Sequence, residues 1–357
     1  MKRFISFLIA LCLAFALVSC VGDHGEKTIA VFYYSYPDVY ISTVRDVLDR
    51  QLTAAGIQFT NYDGNNHQAT QLDQINNALA NGDSLLVVNL VDTDSDTTQT
   101  IVDAATAKNV PVIFFNRPIP DSMIKDDVLF IGTDAPEAGH LQGKMIGEYL
   151  VENFDKVDLN GDGVITYAML KGQEGNAEAD ARTKYAIEDA NAILVENGLP
   201  KLQYYNPSAF SGVDNQYYEV DKHGTWSAAQ GYDIISRAIA NSTDMIELIV
   251  ANNDAMAHGA IQALQAAGYN ESGKTVIPVF GVDATEQAKQ HIRFGEMTGT
   301  VKQDNVGMAT AIMLAVNNAI EGNALNEGIV GTHGEITFTS APGIDNKIYV
   351  PYTPYLG

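Results

Sequence analysis

The sequence predicts an α/β fold made of two similar Rossmann-like lobes, each with a parallel sheet covered by helices. Three observations predict it. Short apolar, β-branched runs alternate with amphipathic stretches of helical length along nearly the whole chain. The alternation is interrupted once, between residues 115 and 128, which divides it into two series. Polar residues stand at the end of most of the predicted strands, where open parallel sheets bind their ligands.

The first series begins with an apolar and aromatic strand at 28–34. A helix follows in which Val39, Leu48 and Leu52 are apolar, with Asp38 or Ser42 as its candidate N-cap. Further strands are predicted at 56–60, 84–90 and 110–115, with helices at 67–80 and 97–108 between them. This order is typical of βαβ units, whose parallel strands need a crossover helix.

The second series repeats the same pattern. Its predicted strands are 128–131, 165–170, 201–205, 246–251 and 275–282. Its predicted helices are 135–152, 177–196, 227–240, 255–267, 285–294 and 305–321. The sequence predicts no regular element after residue 321.

The N-terminus resembles a secretory signal peptide at 1–20, with the basic start Met1-Lys2-Arg3 and an apolar run at 4–18. That run is too short to predict a membrane span. Leu17-Val18-Ser19-Cys20 resembles a bacterial lipobox, which predicts Cys20 as the lipidation site. The alternative is an ordinary secretory signal with an incidental cysteine. Cys12 lies in the segment that would be removed, so no disulfide is expected in the mature protein.

The charge of the chain excludes some partners. The formal net charge is −23, which argues against nucleic acid or anionic lipid as a partner. Membrane contact is therefore expected only through the lipid anchor. About 335 residues would remain after processing of the 357-residue chain, a length that suggests two domains.

The run from Asp158 to Thr166 matches most of a calcium loop. Oxygen side chains stand at loop positions 1, 3 and 5, as Asp158, Asn160 and Asp162, and a glycine stands at position 6. Position 12, where an EF-hand places a bidentate Glu, is Met169. The missing carboxylate must come from elsewhere in the chain, so the sequence predicts a structural calcium site and not a calcium switch.

The polar residues at the strand ends predict a site for a hydroxylated ligand. They include Tyr36, Asp38, Asn89, Asp92, Asn116, Arg117, residues 173–182, residues 252–254, Asp283, Gln303 and Asp304. Carboxylate, amide and guanidinium groups can together accept from and donate to hydroxyl groups. Trp226, the only Trp, is either a packing residue or a flat apolar platform for a sugar ring.

Several long motifs resemble the periplasmic sugar-binding proteins, in particular the galactose/glucose-binding type. They stand in order from about residue 28 to near the C-terminus. The motifs lie at 89–92, 110–116, 131–134, 170–172, 181–183, 251–257, 277–284 and 299–301.

This resemblance implies a type I periplasmic binding protein: two lobes joined by a three-segment hinge, with a monosaccharide in the cleft and an ABC transporter permease as partner. It implies an N-terminal lobe at 26–116 plus 303–338 and a C-terminal lobe at 117–302 plus 339–357. The ligand-binding residues that it implies are Asp38, Tyr40, Asn89, Asn176, Glu178, Arg182, Trp226, Asn253, Asp283 and Gln303.

Four of these differ from the family's residue type. Tyr40 stands for a Phe, Asn176 for a His, Glu178 for an Asp and Gln303 for an Asn, so the sugar is left open between galactose, glucose and another monosaccharide. An insertion at 208–224 is expected to reshape the entrance. The calcium ligands implied are Asp158, Asn160, Asp162, the Val164 carbonyl, Thr166 in place of an amide residue, and Glu247 as the remote carboxylate.

Three other classes of protein are compatible with parts of the sequence. Clustered carboxylates could belong to a glycosidase, but no nucleophile elbow, metal-hydrolase motif or phosphate loop occurs, so no enzyme is expected. A sugar-responsive transcription factor would need an N-terminal helix-turn-helix and a basic face. This chain instead has a predicted signal peptide at 1–20 and a net charge of −23, which argue against that class. A sensor that presents its sugar to a chemoreceptor or kinase stays open, because such a partner would recognise the same closed form.

Overall fold

The structure is a computed structural model and describes residues 28–206, 217–242 and 245–357. Within these ranges the chain forms fifteen strands and nine α-helices, which build two α/β lobes. The predicted signal peptide at 1–20, the predicted lipidation site Cys20 and most of the predicted insertion at 208–224 lie outside the described residues.

The first lobe is built on an eight-stranded sheet, counted over the described residues. The strands are β1 (Thr28–Tyr33), β2 (Gln58–Asp63), β3 (Leu85–Val88), β4 (Val112–Phe115), β5 (Val128–Gly132), β12 (Gly331–His333), β13 (Ile336–Ala341) and β14 (Ile344–Tyr349). Their spatial order is β12-β13-β14-β5-β4-β3-β1-β2, parallel except for the antiparallel pairs β12–β13 and β13–β14.

Helices cover both faces of this sheet. They are α1 (Val39–Ala54), α2 (Gln68–Asn81), α3 (Ser95–Thr106) and α9 (Asn305–Glu321). Ile29, Val31 and Tyr33 belong to the core under α1 and α9, whereas Ala30 and Phe32 belong to the core under α2 and α3. Because successive side chains of a strand point to opposite faces and both faces are buried, β1 is a continuous apolar run.

The second lobe is built on a seven-stranded sheet, again counted over the described residues. The strands are β6 (Thr166–Lys171), β7 (Gln203–Tyr204), β8 (Glu219–Val220), β9 (Leu248–Ala251), β10 (Val279–Asp283), β11 (Gly299–Gln303) and β15 (Tyr352–Tyr355). Their order is β15-β11-β10-β9-β6-β7, with β8 also paired to β6, and only the β11–β15 pair is antiparallel. The helices of this lobe are α4 (Ala135–Val157), α5 (Ala177–Glu196), α6 (Ala228–Asn241), α7 (Asp254–Ala266) and α8 (Glu286–Arg293).

The chain crosses between the two sheets three times. The crossings lie between β5 and α4, between β11 and α9, and between β14 and β15. Two parallel-rich lobes joined by three crossings confirm the predicted fold class.

The division of the strands differs from the predicted lobe boundaries at residues 117 and 339. β5 pairs with β4, and β14 pairs with β5, so both strands belong to the first sheet. The interruption before residue 128 is a loop with a short 3₁₀ helix at Asp121–Met123, which connects two neighbouring strands of one sheet. The crossings fall later, after residues 132 and 349.

The sequence also missed β8, β11 and the four strands from β12 to β15. β13 and β14 carry mixed exposed and buried positions, so they lack the continuous apolar run that marks a parallel strand buried on both faces. Over the ranges that the structure describes, no helix combines the length and the apolar character needed to cross a membrane.

Candidate functional site

A cavity lies between the lobes, at the carboxyl ends of the strands of both sheets. It encloses about 410 Å³ of empty space, including solvent at its mouth. Its lining comes from both lobes: Tyr34, Asp38, Tyr40, Ile41, Asn116 and Arg117 from the first, and Asn176, Glu178, Arg182, Trp226, Asn253, Asp283 and Gln303 from the second.

All but one of the predicted ligand-binding residues line this cavity. The exception is Asn89, which is fully buried behind the wall. Its amide Oδ1 accepts from the Tyr34 amide at 3.3 Å, and its Nδ2 donates to the Phe115 carbonyl and to Asn116 Oδ1 at 3.2 Å each. Asn89 therefore holds two lining residues, Tyr34 and Asn116, instead of facing the cavity.

The wall of the first lobe is formed by Asp38 and Tyr34. Asp38 caps α1, since its Oδ1 accepts from the Ile41 amide at 2.7 Å, and its Oδ2 accepts from the Tyr34 hydroxyl. The Arg117 guanidinium lies 3.5 Å from the centre of the Tyr34 ring and donates to the Val91 carbonyl at 2.8 Å. The carboxylate at this wall is thus fixed by a helix start and a hydroxyl.

Trp226 is held in a strained conformation at the opposite wall. Its φ of 55° is uncommon for a bulky side chain, and it is 8% exposed. The buried Asp221 carboxylate accepts from the amides of His223 (2.8 Å), Thr225 (2.9 Å) and Trp226 itself (2.8 Å). Asn253 Nδ2 donates to the Trp226 carbonyl at 3.1 Å. Backbone strain that several surrounding hydrogen bonds hold in place is typical of functional sites.

Arg182 is anchored at its terminal nitrogens and not at Nε. Its Nη1 donates to the Asn252 carbonyl at 2.9 Å, and its Nη2 lies 3.0 Å from Glu178 Oε2. Arg182 Nε, by contrast, is buried without a hydrogen-bond partner among the described residues. The Nε–H of Arg182 is therefore available to donate a hydrogen bond to a ligand.

Asp283 contributes a second carboxylate, again on strained backbone, with φ of 124°. Burial raises the pKa of Asp283, and the nearby Asp254 raises it further, while Arg182 lowers it. Asp254 lies behind the wall, where it accepts from Thr300 Oγ1 at 2.6 Å and from the Thr285 amide at 2.7 Å. Its burial raises the pKa of Asp254 to about 7.

Several buried donors of the lining have no hydrogen-bond partner among the described residues. Besides Arg182 Nε they are Tyr40 Oη, Trp226 Nε1 and Gln303 Nε2. A buried polar group without a partner costs about 1–3 kcal/mol, so a ligand that supplies acceptors here gains that energy back. Unpaired donors, two carboxylates and an indole together fit a small compound rich in hydroxyl groups.

Four lining residues are not among the ligand-binding residues that the sequence predicts: Tyr34, Ile41, Asn116 and Arg117. Asn116 and Arg117 stand directly after β4, so the strand-end signal had already marked them. Tyr34 directly follows β1 but falls inside the strand predicted at 28–34, and Ile41 is apolar, so the polar strand-end pattern predicts neither of them.

The loop before β6 has the turns of the predicted calcium loop. The Asp158 carboxylate accepts from the amides of Gly161 and Gly163 at 2.8 and 2.9 Å. The fully buried Glu247 reaches this loop from 81 residues or more along the chain, accepting from the amides of Leu159 at 2.7 Å and Thr166 at 3.0 Å. The remote carboxylate is therefore beside the loop.

The donor set fits a hard cation in kind, since Asp158, Asn160, Asp162, the Val164 carbonyl and Glu247 offer only oxygen. Thr166 fits less well, because its hydroxyl donates to the Met245 carbonyl. In the described part of the chain, three or more His, Cys, Asp or Glu side chains are nowhere gathered as a metal site. Calcium binding stays a prediction.

Two lobes, three crossings and a polar cavity between the lobes define a binding protein of the type that closes around a small ligand. The family described as "Periplasmic binding protein domain" matches residues 29–324, and the chain belongs to this family. Its members are binding proteins, which confirms that the chain is not an enzyme.

Known relatives agree with this assignment. The D-galactose/methyl-galactoside binding periplasmic protein of Haemophilus influenzae is 34% identical over 308 residues, covering 85% of each chain. The fold is shared with a Clostridium phytofermentans solute binding protein with bound β-D-glucose (TM-score 0.68, 19% identity, 92% of this chain and 94% of that one). It is also shared with a Bacillus halodurans solute binding protein with bound myo-inositol (TM-score 0.66, 24% identity, 85% and 92%).

Proposed function

We propose that this protein captures a monosaccharide outside the cytoplasm and delivers it to the permease of an ABC transporter. The observation that carries the proposal is the cavity between the lobes, which combines unpaired buried donors with the carboxylates of Asp38 and Asp283. A hydroxyl group can accept a hydrogen bond from the first and donate one to the second. The periplasmic relatives support the same location and class of ligand.

Trp226 and Tyr40 supply the apolar contacts of the proposed complex. Both line the cavity, and both are buried. Burial raises the pKa of Tyr40, so its hydroxyl stays protonated and able to donate. Flat aromatic faces cover the C–H face of a sugar ring, whereas the polar groups read its hydroxyls.

Binding would close the lobes because the lining comes from both of them. A ligand that contacts both walls has a higher affinity for the closed arrangement, and this difference shifts the population. In the structure the lobes already meet near the mouth, where Asn66 Nδ2 donates to the His223 carbonyl at 3.4 Å. The closed surface is what a permease would recognise; a chemoreceptor or kinase that recognises it instead is the alternative.

The sugar that we favour is galactose or glucose, on the strength of the galactoside-binding relative. Asn176, Glu178 and Gln303 line the cavity and differ from the residue types of that family in reach and donor pattern. A site that pairs specific hydroxyls discriminates strongly between epimers. Another monosaccharide is therefore the alternative within the same class.

Titration calorimetry of the mature protein tests the proposal with D-galactose, D-glucose, D-ribose, D-xylose and myo-inositol. At least one should bind with micromolar or tighter affinity. Asp283→Ala should weaken that binding by about 10–100-fold, because it removes a buried hydrogen-bonding group of the lining and leaves its ligand partner unpaired, at a cost of about 1–3 kcal/mol. Asp345→Ala, an exposed carboxylate far from the lining, is the matched control. Absence of heat and of any Trp226 fluorescence response with every sugar would refute the assignment.

We also propose a structural calcium ion in the loop from Asp158 to Thr166, completed by Glu247, and a lipid anchor on Cys20. The calcium proposal is supported by the position of the buried Glu247 carboxylate beside the loop. The anchor is supported by the lipobox-like sequence alone, and mass spectrometry of the membrane-extracted protein tests it by the mass of an acylated N-terminal cysteine.

A further inference from the structure

A buried hydrogen-bond network lies where the three crossings between the lobes meet. Thr133 directly follows β5 at the first crossing, Gln303 ends β11 at the second, and Tyr352 begins β15 at the third. All three side chains are buried, with at most 5% of their surface exposed. Each of them contacts Glu178 or Arg182, two residues of the cavity lining.

Tyr352 stands at the centre of this network. Its hydroxyl accepts from Arg182 Nη2 at 2.8 Å and lies 3.0 Å from both Glu178 Oε2 and Thr133 Oγ1. Thr133 Oγ1 donates in turn to Glu178 Oε1 at 2.7 Å. Gln303 Oε1 accepts from Arg182 Nη2 at 3.1 Å. One connected set of hydrogen bonds thus joins the three crossings.

Glu178 is largely committed to this network. A carboxylate has about four acceptor sites. Thr133, Arg182 and Tyr352 take up three of them, so Glu178 keeps about one for a ligand. Tyr352 does not line the cavity, and any effect it has on a ligand must pass through Glu178 and Arg182.

We propose that Tyr352 is a positioning residue that couples the ligand-contacting pair Glu178 and Arg182 to all three crossings. A buried polar network stabilises the fold only when every member has a hydrogen-bond partner. A member left unpaired costs free energy, because no water is present to replace the lost partner. A lobe rotation that moves Thr133, Gln303 or Tyr352 therefore changes the position of Arg182. Conversely, a ligand that fixes Arg182 favours the one hinge arrangement in which the network is complete.

The coupling is tested without any ligand by hydrogen exchange on the mature protein. Tyr352→Phe keeps the ring and removes the hydroxyl. It should raise amide exchange by about fivefold or more at all three crossings, near residues 133, 303 and 352, although these are far apart in sequence. Tyr205→Phe is the matched control, since it removes a tyrosine–carboxylate hydrogen bond to Glu219 in the same lobe, away from the crossings.

The consequence for binding rests on the proposed function and is measured separately. Tyr352→Phe should lower the affinity for the sugar that the wild type binds by about tenfold, mostly through faster dissociation. Tyr205→Phe should leave that affinity within about twofold of the wild-type value. If Tyr352→Phe does not fold, Thr133→Val removes the neighbouring hydroxyl of the same network and should give the same pattern.

The outcomes separate the two claims. Faster exchange confined to the region of residue 352, or a Tyr352→Phe protein that behaves like Tyr205→Phe in exchange and affinity, overturns the coupling. A wild-type protein that binds no sugar overturns the proposed function, while the exchange pattern at the three crossings still decides the coupling.

Discussion

The backbone of Gly172 lies directly against the indole of Trp226. A Cβ placed on Gly172 would come within 2.1 Å of Cε3 of the indole, far inside van der Waals contact. Gly172, the residue directly after β6, therefore leaves the space in which the aromatic wall of the cavity lies. Gly172 acts on the cavity through Trp226, since it does not itself line it.

Gly172→Ala should push the indole toward the cavity and weaken sugar binding by about 10-fold or more, since overpacking costs about 1–3 kcal/mol. Calorimetry with the wild-type ligand measures the loss, and the emission of the only Trp reports the displacement. Gly82→Ala is the control. Its backbone φ of 92° makes the alanine strained, but no atom lies within 4 Å of the added Cβ, so no side chain is displaced. Equal affinities for the Gly172→Ala and Gly82→Ala proteins would contradict the prediction.

Asp221 should matter for binding although it is not in the lining. Its carboxylate accepts from three amides of the turn that holds Trp226, and from the Thr225 hydroxyl at 2.8 Å. Asp221→Ala should shift the Trp226 emission and lower sugar affinity, with a loss of about 1–3 kcal/mol in the free energy of unfolding.

Asp94→Ala is its matched control. Asp94 makes the same contacts with a threonine, accepting from the Thr97 amide and hydroxyl at 2.8 Å each, at the start of α3. It should destabilise the protein without a change of Trp226 emission. An emission spectrum that Asp221→Ala leaves unaltered would rule out the positioning role.

The raised pKa of Asp254 predicts a pH-dependent stability. Because burial raises this pKa from 3.8 to about 7, the folded protein holds a proton that the unfolded chain releases above about pH 4. The contribution of Asp254 to the free energy of unfolding is therefore fully present below about pH 4 and is lost as the pH rises to about 7. Asp254→Asn imitates the protonated acid and should flatten the fall of the unfolding free energy over this window. Denaturant titrations of both proteins from pH 4 to 7 check it; parallel curves would contradict it.

Calcium should raise the melting temperature, because the ion would bind the folded loop and Glu247 together but not the unfolded chain. Glu247→Gln should abolish the difference between melting in excess calcium and in excess chelator. Asp155→Asn, an exposed acidic residue just before the loop, should retain it. A wild-type protein that melts at one temperature in both solutions has no such site.

Local sequence predicted the fold where both faces of a strand are buried. β1 and β4 are continuous apolar runs for this reason, and their bounds were close to the predicted ones. The strands β13 and β14 could not be found in the same way, because exposed positions interrupt their apolar runs, and β14 enters the sheet beside β5, a strand far earlier in the chain. The predicted lobe boundary at residue 117 is wrong for a related reason. A loop between two strands of one sheet interrupts the strand–helix alternation in the same way as a crossing between the lobes would.

The site shows a similar limit. The rule that ligands bind beyond strand ends marked Asn253 and Asp283, which line the cavity. It marked Asn89 equally, yet the Asn89 amide points into the lobe to satisfy the backbone of Tyr34 and Phe115. Side-chain direction at a strand end depends on the backbone of neighbouring strands, which a local pattern does not contain.

The interleaved order of the strands constrains how the polypeptide acquires its structure. β14 completes the interior of the first sheet and β15 the edge of the second, and both come from the final stretch of the chain. Domains that are continuous in sequence can fold one after the other as they emerge. Here neither half can finish before residues 344–355 are available. A translocating chain would therefore stay incompletely assembled, and exposed to chaperones and proteases, until almost its entire length has passed the membrane.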